Sequence, residues 1–366
     1  MNEDRIKLVG EVIREASMTE EERELMTHRI TPETPLPPMQ PLFKMFDVPC
    51  FYRGELVADC GKAKSGKTFF LSIIMACCLK QQVLALERIG EKPLKVLWVD
   101  TEQSQQSTQD IIVNRIMPLT GVSSISNDQF YAFNVRGIGF EKRRKLTEVA
   151  IRSLHPDLVI IDGIKDLVTD INDAYQATEI MEQLMALAQE GDCCIVNVLH
   201  QNKSEADRNM RGSIGTELTN KAFEVYECEY WERYRMFKVT QTLSRRQRMS
   251  SKLYYELTDE GLPKACHAPQ EQPRDDNGRW ISAEQQKERL IKLFTEAMEG
   301  RKQRKYAEVM GVAMNKLGVA DKESYYALLK EAEQLGIVRS QKIKDTKNPD
   351  IKVTWIEIAD EQSLPF

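Results

Sequence analysis

The sequence predicts an α/β protein, in which a mainly parallel sheet with helices on both faces and an antiparallel extension is followed by a small winged helix-turn-helix domain. Three observations carry this. Between 54 and 258, short β-rich apolar runs alternate with helical patterns. Four of the first five runs, "ELVADC", "KVLWVD", "FYAFNV", "DLVIIDG" and "CCIVNVL", are apolar on both faces, as strands covered from two sides must be. The pattern then changes twice: first to three alternating runs, "AFEVYECE", "RMFKVTQTL" and "KLYYEL", then, past a polar stretch, to three helices and a hairpin.

The 366 residues suit one large domain and a smaller one. A hydrophobic share of 42% with 29% charged residues is ordinary for a globular protein, and a net charge of -5 excludes a globally basic nucleic-acid binder. Any DNA contact must therefore use local basic patches. The eight cysteines include the neighbours Cys77-Cys78 and Cys193-Cys194 but no CxxC spacing, so they read as small apolar residues in a reducing compartment. The start of the chain lacks the order of a signal peptide, and the longest nearly apolar run, Phe69 to Leu79, is too short for a bilayer. The expectation is a cytoplasmic protein without membrane contact.

Taken in order, residues 1–31 form a helical segment: Ile6, Val9, Val12 and Ile13 stand at helical spacing ahead of the charged "TEEERELM". It either packs on its own subunit or docks on a neighbour. Residues 32–49 form a linker, because the five prolines of "TPETPLPPMQP" cannot continue a helix. Residues 50–260 are the α/β core, and 261–281 are a second linker, polar and proline-bearing. In 282–360, Ser282 and Gln285 stand in capping-box spacing at the start of a helix to about 298. Helices at about 303–317 and 322–335 follow, then a hairpin turning at "KNPD".

Function is concentrated at "GKAKSGKT". Gly61, Gly66, Lys67 and Thr68 have the GxxxxGK[ST] spacing of a phosphate-binding loop, and Lys62, Ala63, Lys64 and Ser65 fill its crest. Glycines let backbone amides face a phosphate, Lys67 reaches the β- and γ-phosphates, and Thr68 can ligate Mg2+ at a helix N-terminus. ATP with Mg2+ is the implied cofactor pair. Glu102 stands at the carboxyl edge of the next strand, where a carboxylate can polarise the water attacking a γ-phosphate. Asp162 ends "PDLVIID" and suits magnesium held through water. Gly163 follows it in place of a second acid, which leaves Glu102 as the available base. His200 and Gln201 leave the end of a further core strand, where a neutral donor can sense the phosphate.

The order of phosphate loop, Glu102, Asp162 and His200-Gln201 resembles the RecA-like P-loop ATPase core. More narrowly, it is similar to the RepA-like replicative helicases of plasmids, relatives of DnaB-type hexameric motors. The resemblance covers about 50–258, including "RGSIGTELTNKAFEVYE", and the added winged helix departs from that family's compact single-domain form. It implies a homo-oligomer, a hexameric ring with ATP at subunit boundaries and single-stranded DNA as partner. The loop after His200 would then face the ring centre with Lys203, Arg208 and Arg211 suited to phosphate contacts, unless it is a plain solvated loop.

Seven basic and no acidic residues lie between 233 and 252. In RecA-like hexamers a trans-acting arginine finger falls at such a connection, which makes Arg245 and Arg246 the candidates and Arg248 the third. A plain basic hairpin is the alternative. From 282 onward 15 basic residues face 14 acidic ones, so only local clusters such as "RKQRK" argue for DNA, and docking to a protein partner is equally open. Three functions follow: a DNA-dependent motor, an ATPase that loads or regulates a partner without unwinding, and a nucleotide-gated DNA-binding regulator.

Overall fold

A computed structural model describes residues 18–202, 207–268, 282–319, 321–344 and 352–359. Two compact units divide the chain, Met1–Ala268 and Pro269–Phe366. The first contains a nine-stranded sheet in the order β13-β12-β11-β10-β3-β9-β8-β6-β7. Its parallel part comprises β3 (Leu56–Gly61), β6 (Val96–Asp100), β7 (Phe130–Asn134), β8 (Leu158–Asp162), β9 (Cys194–His200) and β10 (Glu224–Trp231). The antiparallel extension is β11 (Met236–Ser244), β12 (Leu253–Leu257) and β13 (Pro263–Ala265). The sheet is thus α/β and mainly parallel, with one strand, β13, more than the alternating runs predict.

Both faces are covered. One packs Val57, Trp98, Ile160 and Val196 against the helix Lys67–Leu79, whose Phe70, Leu71, Ile73, Ile74 and Met75 are fully buried. Each such side chain contributes about 1.5–3 kcal/mol. The other face packs Ala58, Val99, Ile161 and Ile195 against Ile180 and Leu184 of Ala174–Glu190 and Leu218 of Gly212–Lys221. In the described residues seven of the eight cysteines are buried and free, which agrees with their apolar reading.

The stretch 32–49 is not linker throughout. β1 (Pro41–Met45) and β2 (Val48–Tyr52) form a hairpin that joins β4 (Gln82–Val83) and β5 (Leu86–Arg88) in a four-stranded sheet, order β2-β1-β5-β4. Phe46 and Asp47 make the two-residue turn with φ of 52° and 63°. That geometry normally selects Asn-Gly or Asp-Gly, so the sequence offers no turn signal there. Pro41 begins a strand and Pro49 lies on the edge strand, the two places where a missing N–H is tolerated. Ahead of the hairpin, Glu20–Thr27 is a helix with a Thr19–Glu22 capping box and no buried residue, while the apolar positions from Ile6 to Ile13 lie outside the described residues.

The second unit holds helices Ala283–Ala297, Tyr306–Lys316 and Lys322–Gln334 with a sheet of β14 (Gln303–Lys305), β15 (Val338–Lys344) and β16 (Lys352–Ile358), order β14-β16-β15. Leu290, Phe294, Val309, Tyr325, Leu329 and Ile356 form its core. The Ser282–Gln285 capping box is present. Residues 303–305 are strand where the sequence reading extends a helix, and the "KNPD" turn lies outside the described residues. No helix among the described residues is long and apolar enough to cross a membrane.

Candidate active site

The site lies at the carboxyl edge of the parallel strands. β3 ends at Gly61, the loop 62–66 follows, and the helix Lys67–Leu79 begins with no side-chain cap on its first amides. Those amides are the donors an anion would use. Gly66 has a φ of 98°, and a Cβ there would stand 2.4 Å from the Phe237 ring, so the tight approach requires glycine. Tyr255 Oη donates to the Gly66 carbonyl at 3.2 Å and braces the loop from β12. Lys64 takes a φ of 62° at the crest beside Lys62, Ala63 and the buried Ser65. A cleft of about 480 Å³ opens on the flank of this crest, between Lys62–Ser65 and the end of β10.

Lys67 is buried and donates to the carbonyls of Gly61 (3.1 Å) and Lys62 (2.9 Å). Its Nζ is also 3.1 Å from His200 Nδ1. An ammonium only donates, so Nδ1 accepts and the imidazole proton belongs on Nε2. Nε2 faces Glu102 Oε1 at 3.6 Å, and Lys165 Nζ holds the same oxygen at 2.8 Å. A continuous chain Lys67–His200–Glu102–Lys165 therefore joins the phosphate loop to the carboxylate. The His200 imidazole foremost, then the Lys165 ammonium, hold the Glu102 carboxyl down to about 2 against the opposing effect of burial.

Register places Asp59, Val198, Asp162 and Asp100 in one row across β3, β9, β8 and β6, on the face that carries the loop helix. Burial, then the charges of Asp100, Glu102 and Asp59, push Asp162 up to about 8. Burial pushes Asp59 up to about 7 against the pull of Lys67, and its Oδ2 has no hydrogen-bond partner. A buried acidic row facing one ammonium suits an added cation. No group of three or more His, Cys, Asp or Glu among the described residues could hold a metal alone. The donor set of Asp162 and Thr68 therefore fits Mg2+ that arrives with a triphosphate, the usual manner of its binding.

Asp100 shapes the turn that presents Glu102. Its Oδ1 accepts the N–H groups of Glu102 (3.1 Å) and Gln103 (3.0 Å), and its Oδ2 accepts Thr108 Oγ1 at 2.6 Å. Thr101 Oγ1 lies 2.8 Å from the Asp162 carbonyl and 2.7 Å from Asp166 Oδ2, welding this turn to the one after β8. Gly163, with a φ of 107°, is where they touch: a Cβ would stand 2.3 Å from Thr101 Oγ1 and 2.9 Å from Glu102 Cγ. A second acid after Asp162 has no room there.

Other sequence candidates are placed differently. Gln201 lines the cleft on the loop's flank, its N–H donating to the Gly61 carbonyl at 3.2 Å and its Nε2 to Glu227 Oε1 and the Arg208 carbonyl, both at 2.8 Å. Arg208 pairs with Glu229 at 3.2 Å. Arg211 precedes the helix Gly212–Lys221, and its N–H donates to the His200 carbonyl at 3.0 Å. Lys203 lies outside the described residues. Arg245 caps the same helix's end through the carbonyls of Ala222 and Asn220, and Arg246 stands 5.7 Å over the Tyr52 ring. Asp59, Asp100, Thr101 and Lys165 escape the sequence reading, although an aspartate inside the apolar "LVADCG" is a signal in itself.

Residues 21–206 match the AAA domain family, just over half of the chain. The chain belongs to the AAA domain family. It is a P-loop ATPase with a RecA-like core. Among solved structures, a KaiC-like protein from the hyperthermophilic archaeon Pyrococcus horikoshii OT3 is similar over 58% of this chain and 91% of that one, at 14% identity and a TM-score of 0.43. No curated protein matches the chain. In this P-loop ATPase Gly163 follows Asp162, and Glu102 stands just past the end of the neighbouring strand β6.

Proposed function

We propose that this ATPase hydrolyses ATP with Mg2+ at sites shared between subunits of a ring and couples turnover to movement on single-stranded DNA, as a replicative helicase does. The observation that supports coupling is the chain Lys67–His200–Glu102, because His200 is also fastened to the segment that follows it. The His200 carbonyl accepts the Arg211 N–H, the Gln201 N–H donates to the Gly61 carbonyl at 3.2 Å, and Gln201 pairs with Met210 across the base of 201–211. Mg2+, held by Thr68 and through water by Asp162, would neutralise charge on the triphosphate.

Lys67 turns from the Gly61 and Lys62 carbonyls to the phosphates, and in doing so leaves His200 Nδ1. The change at His200 reaches Glu102 on one side and the base of 201–211 on the other. Glu102 orients the attacking water as an acceptor, charged throughout the physiological range. Its first test is ATP turnover with and without an oligonucleotide in the wild type and Lys67→Ala. Stimulation by single-stranded DNA, abolished by the substitution, supports the motor, and a strand-displacement assay then separates a helicase from a loader.

One observation favours the loader reading. In the basic cluster "RKQRK", Arg304 is taken up by Glu299 (3.0 Å), Glu308 (3.2 Å) and the Ala297 carbonyl (2.9 Å). The second unit, which we read as a winged helix, thereby loses part of its DNA-facing charge and suits a protein partner. On the loader reading the full chain hydrolyses ATP without displacing a strand, and removal of 282–366 leaves that ATPase intact; strand displacement by the full chain would count against it.

A further inference from the structure

We infer that the second unit holds a single nucleic-acid strand on the outer face of its β14-β16-β15 sheet, with Trp355 as the stacking platform. Register and burial define that face. Val338 and Ile356 turn into the core of the unit, and successive side chains of a strand alternate between faces. Trp355 and Val353 therefore stand on the opposite face. Lys305 and Gln341 lie directly across from Trp355 on the two flanking strands, and Ile343 lies across from Val353. Trp355 is only partly buried there, and Ile343 is 39% exposed.

The surroundings of the indole suit a nucleotide. Lys305 Nζ stands 5.8 Å from the centre of the Trp355 ring, close enough to meet the phosphate of a base stacked on it. The exposed Gln341 amide, on the other side, can donate to and accept from the base edge.

Charge selects the occupant. The strands Gln303–Lys305, Val338–Lys344 and Lys352–Ile358 carry six basic residues and one acidic, Glu357. Arg304 is taken up by Glu299 and Glu308, which leaves five. Arg339, Lys342 and Lys344 are exposed along β15, the edge strand, and Lys352 lies directly opposite Lys344. Like charges so placed repel, and a polyanion beside them removes the penalty. The third helix, Lys322–Gln334, is different: it exposes Lys322 and Lys330 against Glu323 and Glu333. The sheet rather than the helix is thus the side for a polyanion, whereas a reader of duplex grooves would use the helix. A lone indole stacks on a base that is unpaired, so the strand is single. The inference rests on the proposed function only in taking a single strand as partner. Its site is separate from the loop 201–211, and turnover does not enter its test.

The test uses the full chain without nucleotide. Fluorescein-labelled oligo-dT and oligo-rU are titrated by anisotropy at low salt, and the same strands carrying a 5-iodouracil are photocrosslinked and the adduct located by mass spectrometry. The adduct should fall within 352–358, and a duplex of equal length should bind on the order of tenfold more weakly. Binding of either strand supports the inference, and their ratio gives the preferred sugar. Trp355→Ala, with its fold checked by circular dichroism, should weaken binding about tenfold, while Trp355→Phe keeps most of it. Arg339→Glu/Lys344→Glu, which alters exposed side chains alone, should weaken it by about tenfold and flatten its salt dependence. An adduct confined to 201–211, with binding that neither variant changes, would overturn the inference. So would equal binding of duplex, or binding of neither strand, as a sheet that docks a protein would show. If single-stranded DNA fails to stimulate the ATPase, the motor reading falls while the adduct at 352–358 remains.

Discussion

Replacing Gly163 by alanine tests the weld between the Asp162 and Glu102 turns. A φ of 107° suits glycine, and holding an alanine there costs about 1–3 kcal/mol. The new methyl also has to displace Thr101 Oγ1 and Glu102 Cγ, which lie 2.3 and 2.9 Å from its position, and overpacking of that kind costs about 1–3 kcal/mol more. The sum, about 2–6 kcal/mol, corresponds to roughly 5–20 °C in Tm for a unit of this size. Relief comes by moving the Glu102 turn, and a displacement of about 1 Å at a catalytic group costs on the order of 100-fold in turnover. Differential scanning fluorimetry and steady-state ATPase assays give the two readouts. Gly137→Ala is the control, since a Cβ there meets nothing within 4 Å. A Gly163→Ala protein with wild-type Tm and kcat would show that the two turns do not need glycine where they meet.

Arg245→Ala should lower stability by about 1–3 kcal/mol, through loss of the charged cap on Ala222 and Asn220, and should leave turnover largely intact; a large fall in kcat at unchanged Tm would instead mark Arg245 as a trans-acting finger. Glu224 is pushed up to about 7 by burial, against the Phe51 N–H and Tyr226 hydroxyl bonds that favour its charged form. Its folded value lies above the unfolded one, so its contribution is complete below about 4.5 and is lost as pH rises through about 7. Glu224→Gln should therefore gain Tm relative to wild type between pH 5 and 8, and a pH-independent difference would count against this. Glu102, held down to about 2, contributes fully above about 4.5 and loses its contribution as pH falls from there through about 2, so an acid limb of the ATPase profile above pH 4 belongs to another group and should persist in Glu102→Asp.

Much of the core was legible because strands buried on two faces are written as unbroken apolar runs. The loop, Glu102, Asp162 and His200 could be placed because ligand groups gather where such strands end. Gln201 parts from His200 because successive strand side chains alternate faces, so His200 meets Lys67 while Gln201 meets Glu227 on the loop's flank. The β1–β2 hairpin stayed hidden because its left-handed turn is built on Phe46-Asp47 without glycine. Gly163 and Lys165 have meaning only once β6 lies beside β8, a pairing between residues about 60 apart that no local pattern announces. Arg304 looks like a DNA-facing cation until the helix Ala283–Ala297 brings Glu299 to it.

In the proposed mechanism Glu102 activates water at a site that Lys67 holds. The most direct test is ATP hydrolysis by Glu102→Gln, with nucleotide binding measured in parallel and single-stranded DNA present or absent. Binding near the wild-type level with turnover reduced by on the order of 100-fold or more, in both conditions, is the predicted result. Wild-type turnover in the variant would contradict it.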